Sequence, residues 1–276
     1  MDQAVEPQRV ALKIQYLGTG FFGWQWQPKQ RTVQLVMEEA LTKIARHPVR
    51  CYGAGRTDTG VHASGQVIHF KTTKLLPAEI WVRALNGVLP DDVVVRAAAY
   101  VDDYWHARFT AIWREYRYMI HNSKTPELFV RGHSWFYPYC RLDVEAMDLA
   151  LSSLEGRDHD LRAFRRTGSL RAHSLVHVHF AHCTAQEDRI FIQVRANSFL
   201  YGMMRLLVGS LAEVGSGRWS PEAFAELWKS GNRDAVKYAA PPQGLSLIAV
   251  GYPQDPFLEK EKGWHTSAGN REERNI

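Results

Sequence analysis

Cysteine is scarce. The 276 residues include three, Cys51, Cys140 and Cys183, far apart and odd in number. That excludes a disulfide scaffold, and with no Cys-x-x-Cys pair it also excludes the usual thiol redox and zinc motifs. A reducing compartment is expected, most simply the cytoplasm. No stretch approaches the ~18 uninterrupted apolar residues of a membrane-spanning helix. The opening, MDQAVEPQRV, has an acid at position 2 and no apolar core, so neither a secretory signal nor a transit peptide is expected. Extreme composition is absent as well. With 45% hydrophobic and 23% charged residues, disorder over most of the length is excluded.

What remains is a basic, ring-rich chain. Lys and Arg number 34 against 29 Asp and Glu, a net charge of +5, and aromatic residues reach 12%, with nine Trp. Cations meet phosphate and rings stack on bases, so a nucleic-acid partner suits this balance. The same rings serve equally well as packing.

The length suggests about two domains or one large one. Val10, Leu12, Ile14 and Tyr16 alternate with Ala11, Lys13 and Gln15, the period of a strand. Thr32 is placed to cap a helix carrying Val33, Val36, Met37, Ala40, Leu41 and Ile44. Strands follow near 49–53 and 66–72, then a helix after Pro77 and a strand over 93–101. A second run repeats the pattern: a strand over 113–121, a helix over 143–154, strands over 173–184 and 189–196, a helix from Phe199 capped by Ser198, a helix from Pro221 and a strand over 245–250. The order strand, helix, strand, strand, helix, strand is that of a split βαβ unit. The expected fold is therefore α+β, two ferredoxin-like halves with antiparallel sheets flanking a basic active-site cleft. The boundaries are 1–105 for the first half, 106–252 for the second, and 253–276 for a mobile polar tail.

The densest feature is the segment from Gly53 to Gly65, with four glycines between two strands. No helix follows it and no Walker lysine is present, so it is neither a dinucleotide fingerprint nor a P-loop. It does present Asp58 two residues after Arg56. Burial disfavours a charged carboxylate and a nearby guanidinium favours it, so an Asp beside an Arg is a workable reactive anion. An Asp that merely caps its own turn fits the same residues. Arg205 stands alone in an apolar stretch, Leu200 to Leu211, where burial without a partner is costly. Of four clustered histidines, His173, His177, His179 and His182, the pair His177 and His179 shares a strand face and raises a metal site, but no obvious third ligand or HExxH helix accompanies it. Arg162, Arg165, Arg166 and Arg171 make a basic loop around Gly168, suited to phosphate.

The stretch Gly55-Arg56-Thr57-Asp58-Thr59-Gly60-Val61-His62-Ala63 resembles the active-site motif of the TruA-type tRNA pseudouridine synthases. Further matches follow in order. They are the opening Tyr16–Gln25, Ala107-Arg108-Phe109, Arg114-Glu115-Tyr116-Arg117-Tyr118, Phe199–Arg205, and Ala240-Pro241-Pro242 with Gly244-Leu245. The resemblance spans about residues 9–252. It implies an isomerase that converts uridine to pseudouridine at positions 38, 39 and 40 of the tRNA anticodon stem-loop, after flipping the target base from its stack. It further implies Asp58 as the catalytic aspartate, acting at C1′, at C6 or as a base at C2′. Arg56, Tyr116 and Arg205 would bind substrate, Arg205 paired with Asp58 across the cleft. No cofactor, no metal and no membrane are implied, and a homodimer is. Trp26 stands where many relatives carry a basic residue.

Overall fold

A computed structural model describes residues 6–168 and 173–258. Its first half runs β1 (Gln8–Tyr16), α1 (Val33–Ala45), β2 (Cys51–Gly53), β3 (His62–Thr72), α2 (Ala78–Asn86) and β4 (Val93–Val101). The second runs β5 (Trp113–His121), β6 (Trp135–Phe136), α3 (Val144–Ser152), β7 (Asp158–Asp160), β8 (Leu175–Gln186), β9 (Arg189–Ala196), α4 (Met203–Gly215), α5 (Pro221–Ser230) and β10 (Leu245–Gly251). Local chemistry explains most boundaries. Thr32, Asp143 and Ser220 each accept a backbone N–H three residues on, and so start α1, α3 and α5. Arg46 and Gly231, both left-handed, end α1 and α5.

Two separate sheets are not found. One ten-stranded sheet runs β4-β1-β3-β10-β5-β9-β8-β7, with β2 on β3 and β6 on β5. The join is β10, which pairs parallel with β3 at Ser246–His62 and Leu247–Ala63, and antiparallel with β5 along its length. Most other pairs are antiparallel. The last strand therefore inserts between the halves, and one large hydrophobic cluster runs through both of them.

Three further expectations are corrected. β3 begins at His62, four residues early, because β10 supplies it with a neighbour there. The fourth helix begins at Met203, with left-handed Gly202 as its cap residue, and not at a Ser198 cap; residues 199–202 turn so that Phe199 reaches Tyr116. The polar tail does not begin at Pro253, since Phe257 is buried with Ala11, Ala54, Val67 and Tyr252 in a second small cluster. The rest of that tail, including Trp264, and Arg171 of the basic loop lie outside the described residues.

Next to this second cluster lies His69, on the sheet face away from α1 and α2. Its Nδ1 accepts the Ala107 N–H at 3.2 Å. Burial first, then the charges near His106 and Arg9, push it from its ordinary 6.5 down to about 3. The unfolded chain therefore binds this proton below pH ~6.5 while the folded chain does not. Stability is fully present above that pH and is lost as the pH falls, by up to about 1.4 kcal/mol per unit. Thermal unfolding followed from pH 7.5 to pH 5 is expected to show the midpoint falling, and His69→Gln, which keeps an acceptor but does not titrate, to flatten the slope. An equal slope in the variant would remove His69 as a cause.

Candidate active site

The loop between β2 and β3 carries Asp58, and buried polar groups set its shape. Gln66, fully buried on β3, donates to the Gly55 carbonyl at 2.8 Å and accepts the Gly55 N–H at 3.3 Å. The Tyr16 hydroxyl bonds Thr57 Oγ1 at 2.8 Å and receives Gln66 Nε2 at 3.4 Å. Burial pushes Tyr16 up to about 12, partly offset by the bonds to Thr57 and Gln66, so it stays a neutral phenol.

A second layer comes from the loop after β1. Trp24 N donates to the Thr57 carbonyl at 3.0 Å, Gly60 N to the Phe21 carbonyl at 3.3 Å, and Gly18 N to His62 Nδ1 at 3.0 Å. Two glycines permit this contact. A Cβ on Gly18 would lie 2.1 Å from the Val61 carbonyl oxygen. One on Gly23, which sits at φ +83°, would lie 2.7 Å from that of Thr57. The glycines thus let two backbones touch, and the loop needs no helix or phosphate to order it.

The structure brings three of the four sequence-predicted residues together. Arg205, in the first turn of α4, holds Nη1 3.6 Å from Asp58 Oδ2. That is an ion pair but too long for a hydrogen bond. Its side chain and that of Asp58 are 17% and 23% exposed, so solvent reaches the pair only in part. Arg205 Nε donates to the Ala240 carbonyl at 2.7 Å, and Ala240 N donates back to the Arg205 carbonyl at 2.8 Å. The apolar helix therefore does not bury an unpaired guanidinium. One nitrogen is spent on the strand-entry loop and another faces the carboxylate.

Tyr116, on β5, is buried and sits edge-on to Phe199 with centroids 4.7 Å apart. Such a pair adds about 0.5–1.5 kcal/mol beyond burial. Its hydroxyl lies beside Gly55, and burial, with Tyr16 and Asp58 adding to it, raises its pKa well above the usual phenol range. Tyr118, two residues on, spends its hydroxyl on the Pro241 carbonyl at 2.8 Å and is a core residue. Arg56 is apart from this group. It is exposed and has no hydrogen bond or ion pair among the described residues.

Sequence reasoning missed the residues that brace the site. Arg114 donates from Nε and Nη2 to the Ala54 carbonyl at 3.2 and 3.1 Å, from Nη1 to the Ala111 and Asn197 carbonyls at 3.2 Å each, and from Nη2 to the Arg108 carbonyl. It ties the Asp58 loop, the linker before β5 and the end of β9 into one frame. Its place in the Arg114–Tyr118 motif, two residues from Tyr116, was the signal that could have flagged it. Tyr16 opens the matching Tyr16–Gln25 stretch, whereas Gln66 carried no signal beyond its place in a strand.

Of the basic loop, Arg162 is spent on Asp160, and Arg166 lies over the Tyr201 ring, 5.4 Å from its centroid. His177 bonds Asp158 at 2.9 Å, and His182 lies 3.5 Å from Asp148 and 3.6 Å from Glu155. Among the described residues, no three His, Cys, Asp or Glu side chains are grouped to hold a metal.

Comparison with known proteins adds a family. The model of a family described as tRNA pseudouridine synthase matches residues 13–110 and 150–253. The tRNA pseudouridine synthase A of Gloeobacter violaceus is 70% identical over 251 residues, covering 91% of this chain and 82% of that protein. The proteins of the same description from Thermosynechococcus vestitus and Rippkaea orientalis are 53% and 52% identical, over 91% and 92% of this chain and 88% and 87% of theirs.

Proposed function

The chain belongs to the tRNA pseudouridine synthase family, and from the geometry around Asp58 we propose how it isomerises uridine to pseudouridine in tRNA. The N1–C1′ bond breaks, the uracil turns, and C5 joins C1′; N1 gains a proton and C5 gives one up, so nothing is consumed. Asp58 is the catalytic nucleophile toward the flipped uridine. The observation that carries this is its carboxylate, held 3.6 Å from the Arg205 guanidinium at a half-buried loop against which the Tyr116 hydroxyl also rests. Arg205 holds the carboxylate in place from 3.6 Å. Tyr116 offers its ring for stacking on the extruded uracil and a neutral hydroxyl for proton transfer. Arg56, exposed and unpaired among the described residues, is available to RNA phosphate or to the gap left in the stack.

The targets are positions 38, 39 and 40 of the anticodon stem-loop, read by shape more than sequence, by a homodimer in the cytoplasm. Three free cysteines and a net charge of +5 agree with that setting and that ligand. Each half reads as a ferredoxin-like unit, with the seam near residue 105. With the short strands β6 and β7 set aside, strand order counted within each half is fourth, first, third, second in both: β4-β1-β3-β2 and β10-β5-β9-β8.

Incubation of the protein with transcribed tRNA bearing uridine at 38, 39 and 40, followed by pseudouridine mapping, is expected to place the modification at those positions. Modification confined to another arm would move the specificity. Tight binding with no pseudouridine at any position would reduce the protein to an RNA-binding module.

A further inference from the structure

A second ring-and-cation surface lies outside the Asp58 pocket. Strand register places Tyr52 opposite His69 and His69 opposite Ala11, with Arg9 opposite Lys71. Directly paired residues of antiparallel strands share a face, and here it is the face that α1 and α2 leave uncovered. Tyr52 stacks on His69 with centroids 5.3 Å apart and an interplanar angle of 24°. His106 packs against His69 at 4.4 Å, and Phe109 against His106 at 4.4 Å. Four rings thus form a continuous strip, yet Tyr52 is 54% and Phe109 76% exposed. Arg9, Arg50, Tyr52, His69, Lys71 and His106 line a depression of about 510 Å³ beside the strip.

The cations are arranged against the fold's own interest. Arg9 and Lys71 are directly opposed like charges, which destabilises a strand pair. Compensation is thin. Lys71 pairs with Asp103, itself 65% exposed, and an exposed pair contributes little. Arg9 donates to the Trp105 carbonyl while its buried Nε has no partner. Arg50 is 74% exposed and reaches Glu38 only at 3.6 Å. Arg108 stands over the Phe109 ring, extending positive charge along the strip. Converging cations, interleaved with flat exposed rings, match a polyanion with stackable bases.

We propose that this surface is a second RNA-contact site, which takes a segment of the tRNA outside the active-site pocket by ring stacking and phosphate pairing. It rests on the tRNA-modifying reading above. Tyr52 and Asp58 are six residues apart, so at most about 20 Å of chain separates them, and one RNA can engage both. Burial disfavours charge on His69 and His106, so these rings back the exposed Tyr52 and Phe109 without adding to the cations.

The test is binding of unmodified tRNA at several salt concentrations between about 50 and 200 mM. Tyr52→Ala and Phe109→Ser are each expected to raise Kd about five- to tenfold through lost stacking. Lys71→Gln should flatten the dependence of log Kd on log salt by about one unit, while Lys229→Gln, on α5, should change neither. Phe109 is exposed enough that its variant tests contact and not folding. Unchanged Kd in both ring variants, with an unchanged salt slope in Lys71→Gln, would overturn the proposal. A wild-type protein that forms no pseudouridine would overturn the enzymatic reading instead, and the binding measurement would still stand.

Discussion

Asp58→Ala should abolish pseudouridine formation, by at least about 10⁴-fold in kcat, while tRNA binding survives. Asp58→Asn should do nearly the same, because an amide of equal size carries no charge and is a poor nucleophile. The pair of variants separates shape from charge at one atom. Neither should unfold the protein. Asp58 is held by a partly exposed ion pair with no short hydrogen bond, and Arg205 keeps its bond to the Ala240 carbonyl when the carboxylate is gone. The expected loss of stability is therefore below about 1 kcal/mol. Single-turnover conversion on saturating tRNA, read beside a binding isotherm, measures both arms. An Asp58→Ala protein that retains a tenth of wild-type kcat would remove Asp58 from the reaction, since a group that forms a bond to substrate cannot be that dispensable.

Arg205→Met carries the next largest effect, a fall of about 100-fold in kcat. Removing one preorganised electrostatic partner at a reacting charge typically costs that much. Methionine suits the apolar surroundings of α4 and its helix propensity, so packing is conserved. What goes is the charge opposite Asp58 and the donor to Ala240. The carbonyl left without a partner should cost about 1–3 kcal/mol of stability. Arg205→Lys should recover roughly tenfold of the activity, because it restores the positive charge but cannot serve both the carboxylate and the carbonyl. The signature of a merely structural Arg205 would be different. Arg205→Met would then lower the unfolding temperature while kcat stayed near wild type, and that result would sink the assignment.

Much of this protein was legible along the chain because its elements are set locally. β4, β5 and β9 have the ends that alternation and turn residues predict, and Thr32, Asp143 and Ser220 start helices through their own side chains. Asp58, Arg56, Tyr116 and Arg205 were nameable because they stand in ordered motifs. A lone Arg in an apolar helix also signals its need for a partner on elementary electrostatics.

The tertiary structure decided what no local pattern encodes. Pairing of β10 with β3 joins residues about 180 positions apart, and it turns two expected sheets into one. Hydrogen bonding of a strand edge is satisfied by whichever edge arrives, and sequence alternation says nothing of which. The start of α4 was misread for a related reason. Ser198 is a good cap by type, but contact between Phe199 and Tyr116 takes the turn that a cap there would need. The bracing of Asp58 by Tyr16, Gln66 and Arg114 is likewise a product of chain segments meeting in space, with glycines at 18 and 23 removing the side chains that would keep them apart. By itself, then, the sequence determined the chemical groups, the secondary structure and the family. The fold determined which carboxylate faces which guanidinium, and at what distance, because Coulomb energy and desolvation depend on separation and burial, and neither exists until the chain has closed on itself.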